Sequence, residues 1–117
     1  MNKRLVGSRH EEQAASFLRE RGLEILTSNF RCRIGEIDLI AREENTLVFV
    51  EVKYRFSDRY GWGEEHVDKK KQATIFKVAE VYISRFCKES IPPCRFDVVA
   101  IDGEKIVYYR NAFGRGF

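Results

Sequence analysis

Two neighbouring stretches of alternating apolar residues, 35–41 and 46–55, constrain this chain more than any other feature. Each has the period-2 pattern of a strand. The polar run Arg42-Glu43-Glu44-Asn45 between them suits a hairpin turn, so the pair predicts an antiparallel hairpin. With the turn centred between Glu44 and Asn45, Asp38 falls directly across from Glu51, and Lys53 shares the face of Glu51. Carboxylates opposed with Cβ atoms about 4.5–5.5 Å apart repel each other. Either Lys53 relieves them, or a divalent cation bridges them, and hard oxygen donors favour magnesium or manganese. On residue types alone, a screened ion-pair cluster on a solvated face is the more ordinary reading. The neighbours argue against solvation. Ile37, Leu39, Val48, Val50 and Val52 make one face apolar, while Ile40, Leu47 and Phe49 lie beside Asp38 and Glu51 on the other. Both faces therefore read as covered, and unpaired acids are costly to bury.

Around the hairpin, residues 8–21 read as a helix, with Glu11, Ala14, Ala15 and Leu18 on one stripe and Gly22 placed to stop it. Residues 23–30 read as a first strand. Glu11 has two readings: Ser8-Arg9-His10-Glu11 has capping-box spacing, and the same carboxylate sits on the stripe as a third acid for the hairpin. Downstream, 56–63 reads as a loop, and Asp68 caps a helix to about Cys87 with Ile75, Val78, Ala79, Tyr82, Ile83 and Phe86 as its apolar stripe. Two strands follow, 95–101 and 105–109, joined through Asp102-Gly103. The order α-β-β-β-α-β-β predicts an α/β or α+β architecture, a mixed sheet covered by helices. At 117 residues and 44% hydrophobic content, one domain fills 1–117, with 114–117 expected as a flexible tail.

Several classes are excluded. The longest apolar runs are strand-sized, far below the roughly 20 residues of a membrane span, so no membrane partner is expected. The N-terminus is basic but lacks the apolar core of a secretory signal, which points to the cytoplasm. Cys32, Cys87 and Cys94 have no Cys-x-x-Cys spacing, and only His10 and His66 could supplement them, so a structural zinc site is disfavoured and the thiols read as buried or half-buried. Lys and Arg number 21 against 18 Asp and Glu, a mixed surface that permits a polyanionic partner without requiring one. Lys69, Lys70 and Lys71 crowd a helix N-terminus, where the dipole disfavours cations; a phosphate would relieve them, or they spread into water as a solvated run. Lys71 and Gln72 continue the apolar stripe and should turn toward the sheet. In the loop, Arg59 and Trp62 suit stacking on unpaired bases, or the aromatics fold back on the core.

Asp38 followed by Glu51-Val52-Lys53 resembles the signature of the PD-(D/E)xK nuclease superfamily, the restriction-endonuclease-like fold. The wider pattern is Gly7 and Glu11 with Ala14, then Asn29, Gly35-Glu36-Ile37-Asp38-Leu39-Ile40 and Phe49-Val50-Glu51-Val52-Lys53 with Arg55. It continues through Tyr60-Gly61, Lys71-Gln72 and Arg95-Phe96-Asp97-Val98-Val99. Together these residues resemble the YraN family of predicted bacterial nucleases, itself similar to archaeal Holliday junction resolvases. Ile37 stands where the superfamily name has proline, and His10 where the family often has glycine. The resemblance implies metal ligation by Glu11, Asp38 and Glu51, catalysis by Asp38, Glu51 and Lys53, and Mg2+ or Mn2+ as cofactor. It also implies a nucleic-acid partner, DNA before RNA, for which Arg55, Arg59, Trp62, Lys69, Lys70, Lys71 and Gln72 are the candidate contacts; a resolvase-like task would call for a homodimer. A non-catalytic nucleic-acid-binding module of the same fold is the rival expectation, and intact Glu51 and Lys53 favour the enzyme.

Overall fold

Ala14, Ala15 and Leu18 recur at helical spacing and are all buried, which is why α1 (Lys3–Glu20) lies flat on a sheet. The computed structural model describes residues 3–54 and 67–114, with side chains from residue 9 onward; the 56–63 loop and residues 115–117 lie outside these bounds. Among the described residues two helices flank one five-stranded sheet in the order β1-β2-β3-β4-β5. The chain order is α1, β1 (Glu24–Arg31), β2 (Glu36–Glu43), β3 (Thr46–Tyr54), α2 (Lys69–Phe86), β4 (Cys94–Asp102) and β5 (Lys105–Phe113), the α-β-β-β-α-β-β order expected from the sequence. Neither helix is long and apolar enough to cross a membrane.

α1 begins at Lys3, earlier than the expected residue 8, because a helix once nucleated gains a hydrogen bond for each residue added, which carries it through Gly7 and Ser8 despite their weak propensity. Ser8 is thus inside the helix and is not its N-cap, which removes the capping-box reading of Glu11. The other end stops as expected. Gly22 takes φ 91°, its N–H donates to Arg19 O at 3.0 Å and the Leu23 N–H to Leu18 O at 3.1 Å.

The β2–β3 hairpin has the expected register. Leu39 pairs with Val50, Ile40 with Phe49, and so on down to Glu43 with Thr46, closed by the two-residue loop Glu44-Asn45 with Glu44 at φ 54°. β3 and β4 are parallel, the one pairing among these strands that needs a crossover, and α2 supplies it. Asp68 caps α2, its carboxylate accepting the Lys71 N–H at 2.8 Å. α2 covers one face through Ile75, Val78, Ala79 and Tyr82 on Ile40, Leu47, Phe49 and Val98. α1 covers the other, over Leu39, Ala41, Val48, Val50 and Val52.

Four further expectations need correction. Ile37 joins the α2-side core and not the face of Leu39, because strict alternation fails where β2 leaves β3 beyond Leu39. Phe86 lies at the end of α2, past the edge of the sheet, and is 63% exposed, with its ring against Phe30 and Tyr82. β5 runs on to Phe113, because the buried Asp97 carboxylate accepts the N–H of Asn111, which sits at φ 52°, and Phe113 stacks on Phe96. The last turn is Gly103-Glu104, one residue later than expected. Cys32, Cys87 and Cys94 are free and half-buried.

Gly35 sets how closely α2 approaches β2. A Cβ there would stand 2.7 Å from Thr74 Cγ2, closer than packed carbons tolerate. Gly35→Ala should therefore destabilise the protein by about 1–3 kcal/mol in urea unfolding. Thr74→Ser, which removes that methyl, should restore most of the loss in the double variant; additive losses would show that the clash is not the cause.

Candidate functional site

Beyond Leu39 and Val50 the hairpin ladder ends, and a side chain takes over the pairing. The Val52 N–H donates to Asp38 Oδ2 at 2.8 Å, so the Asp38 carboxylate is held between β2 and β3. Glu51, expected opposite it, is 5% exposed on the α2 side of β3. There the Lys71 ammonium reaches down from the first turn of α2 to Glu51 Oε1 at 2.8 Å. Glu11 comes from α1. It accepts a hydrogen bond from the Asn29 side chain, while its Oε2 is fully buried and has no hydrogen-bond partner.

The electrostatics follow from this crowding. Burial, then the nearby Glu51, push the Asp38 carboxyl up to about 8, and Glu11 adds to the rise while the Val52 N–H and Lys71 oppose it. Burial also raises Glu11, with Glu36 and Glu51 adding repulsion against the Asn29 hydrogen bond and Arg31. Burial pulls Lys71 down, but Glu51, with Asp38 and Glu36 beyond it, together outweigh this and raise it. Lys53 is half-buried at the end of β3, on the strand face that carries Glu51. Beside it the Tyr54 ring stacks on His10, the neighbour of Glu11, with centroids 4.3 Å apart and planes 2° from parallel.

Lys69 and Lys70 are exposed at the start of α2, as a phosphate-contacting run would require. Lys71 turns inward to Glu51, and Gln72 is 3% exposed with its amide donating to Val67 O at 2.8 Å, so both face the sheet as their stripe position implied. Arg55, Arg59 and Trp62 lie outside the described residues.

The model of the Uncharacterised protein family UPF0102 matches residues 10–101. The chain belongs to that family. This is the YraN family that the sequence resembles, and the similarity covers nearly the whole chain. A UPF0102 protein of Lachnoclostridium phytofermentans is 46% identical over 113 residues, covering 97% of this chain and 96% of its own. A UPF0102 protein of Caldicellulosiruptor bescii is 48% identical, covering 97% and 100%. That of Nitrosomonas europaea is 46% identical, with 92% of each chain covered.

In this UPF0102 chain the donors suit a hard divalent cation in type: three carboxylates, one with a buried oxygen that nothing satisfies. They are not gathered into a closed cage. Among the described residues no three His, Cys, Asp or Glu side chains converge closely enough to hold a metal ion. Two roles went unassigned in the sequence, although Asn29 stands in the family pattern and Lys71 among the candidate phosphate contacts. Asn29 gives its signal only as an asparagine that tolerates the left-handed backbone, φ 55°, which turns its amide to Glu11. The Lys71–Glu51 pair joins residues distant in sequence, and its only signal was the position of Lys71 on the helix stripe.

Between the ordinary value of 3.8 and about 8, the native protein keeps a proton on Asp38 that the unfolded chain releases. Metal-free stability should therefore fall as pH rises through that window. Asp38→Asn, whose side-chain oxygen can still accept the Val52 N–H, should leave stability little changed near pH 4 and raise the melting temperature above wild type near pH 8. Parallel pH profiles for the two proteins in EDTA would show that Asp38 ionises normally.

Proposed function

We propose that the protein is a metal-dependent endonuclease of the PD-(D/E)xK type that hydrolyses DNA phosphodiesters, acts in the cytoplasm and is structure-selective for branched DNA in the manner of a resolvase. The observation that carries this reading is the burial of Asp38, Glu51 and an unsatisfied Glu11 oxygen around the point where β2 and β3 part, with Lys53 two residues beyond Glu51 on the same strand. A protein surface built only to hold a polyanion gains nothing from acids that raise one another's charge cost, as Glu51 and Glu11 do for Asp38.

Glu11, Asp38 and Glu51 would hold magnesium or manganese. When bound, such an ion polarises a phosphoryl oxygen and makes a coordinated water nucleophilic near neutral pH. The remaining work falls to the chain. Asp38 must lose its proton to ligate, and the Val52 N–H steadies the resulting carboxylate. Asn29 orients Glu11 by its hydrogen bond, leaving Oε2 as the free donor. Lys53 supplies an ammonium to the phosphate as charge builds on its oxygens. The stacked Tyr54 and His10 rings brace α1 against the end of β3, which fixes Glu11 relative to Lys53. A two-fold dimer would match the paired strands of a branched substrate.

The rival, a non-catalytic nucleic-acid-binding module, is favoured by one feature: Lys71 already neutralises Glu51 without any metal. Incubation with linear, single-stranded and four-way-junction DNA in Mg2+ or Mn2+ separates the two. Wild type should cut at least one substrate, and Glu51→Gln and Lys53→Ala should each lose about a hundredfold or more while staying folded. Binding without cleavage would leave the module.

Lys69 and Lys70 carry a separate expectation, because exposed cations at a helix N-terminus oppose its dipole. Changing both to Gln should weaken DNA binding across all sequences and reduce the salt slope by roughly 0.9 per lost phosphate contact, while stability holds or rises. An unchanged slope would return the pair to a solvated surface.

A further inference from the structure

We propose that Lys71 is a built-in counter-ion that occupies the cation position at Glu51 in the metal-free protein and gives it up on metal loading, its freed ammonium then serving the substrate phosphate. This rests on the nuclease reading of the same site. The geometry comes from one contact: Lys71 Nζ stands 2.8 Å from Glu51 Oε1, with the lysine side chain 45% exposed and the carboxylate 4%. A solvent-side cation thus lids a buried anion. An isolated Glu51 carboxylate would be costly to desolvate, so the ammonium keeps the acidic site folded when no metal is present.

The placement also allows exchange. The Lys71 backbone is pinned, since its N–H is held by the Asp68 cap at 2.8 Å, but its side chain reaches Glu51 through four freely rotating bonds. Lys71 can leave Glu51 without moving α2. Its backbone follows Lys69 and Lys70 at the same exposed helix start, so an ammonium withdrawn from Glu51 joins a group of cations positioned for a phosphate. The exchange swaps one cation for another at Glu51, and the buried carboxylate is at no stage uncompensated. Lys71 also differs from Lys53, which lies on the strand and has no such exchange to make.

The test is Mn2+ affinity by titration calorimetry on the full chain, with DNA binding followed in non-cleaving Ca2+. Lys71→Met removes the competitor, so it should bind Mn2+ about tenfold more tightly than wild type and yet bind DNA more weakly in Ca2+. Lys71→Arg keeps the competing charge, protects folding, and should bind Mn2+ no more tightly than wild type. If Lys71→Met is too unstable to titrate, Lys71→Gln gives the same comparison. Mn2+ affinity that is unchanged or lower without the lysine charge, while wild type binds the ion, overturns the exchange and leaves the nuclease reading intact. No Mn2+ binding by wild type or by either neutral variant overturns both.

Discussion

The site depends on one substitution within the sheet: a side-chain carboxylate in place of a strand. Where β2 and β3 part, the Val52 N–H would lose its ladder partner inside a sheet covered on both faces, and a buried orphan amide is expensive. Asp38 supplies the acceptor at 2.8 Å. That hydrogen bond ends the hairpin, holds the acid in the gap, and brings it near Glu51 and Glu11. The parting of the strands and the gathering of acids are one event, because the residue that satisfies the backbone is itself the first acid.

Asp97 shows what a buried acid looks like when the fold alone requires it. Fully buried on β4, its carboxylate accepts from Arg95, the Tyr108 hydroxyl and the Asn111 N–H, and Arg95 in turn binds Glu43. Arg110 also binds Glu43, and its guanidinium, then that of Arg95, holds the Glu43 carboxyl down to about 2. Each charge in this network has a partner, so it stiffens the β4–β5 edge. The acids at the head of the hairpin differ: Glu11 keeps an oxygen without a partner, and Asp38 is pushed up to about 8. One chain contains both arrangements, so burial of acids here is not a general looseness in its electrostatics. The contrast lies in Glu11 and Asp38, which lack the paired charges that surround Asp97.

Much of this was legible in the sequence, for local reasons. Turn position and period-2 alternation fix a hairpin register, so the Leu39–Val50 pairing and the nearness of Asp38 to Glu51 were legible from numbering, although the ladder stops before it sets those two acids directly opposite, and Ala14, Ala15 and Leu18 identified the helix face that carries Glu11. What alternation cannot express is its own failure. Ile37 changed faces because the strand pair parts at Asp38, and the shift between Ile25 and Thr27 in β1 likewise left Leu26 partly exposed. Ser8 looked like a cap because capping signals say nothing about a helix that has already begun. Lys71 to Glu51 and Asp97 to Asn111 are long-range contacts, fixed by how α2 and β5 pack, and no local pattern encodes them.

The meeting of Lys71 with Glu51 nevertheless follows from topology. β3 and β4 run parallel, so the chain must cross back over the sheet between them, and α2 makes that return antiparallel to β3. A helix that returns in this way begins beside the end where the strand finishes. Glu51 and Lys53 lie at the finishing end of β3, and the start of α2, with its exposed amides and Lys69, Lys70 and Lys71, comes to the same end. In parallel α/β units ligands gather at the carboxyl ends of strands because helix N-termini collect there. Here the ion pair at 2.8 Å records that convergence directly. Asp38 and Glu51 come from the hairpin, Lys69, Lys70 and Lys71 come from the crossover, and the parallel pairing of β3 with β4 brings the two sets to one end of the described sheet.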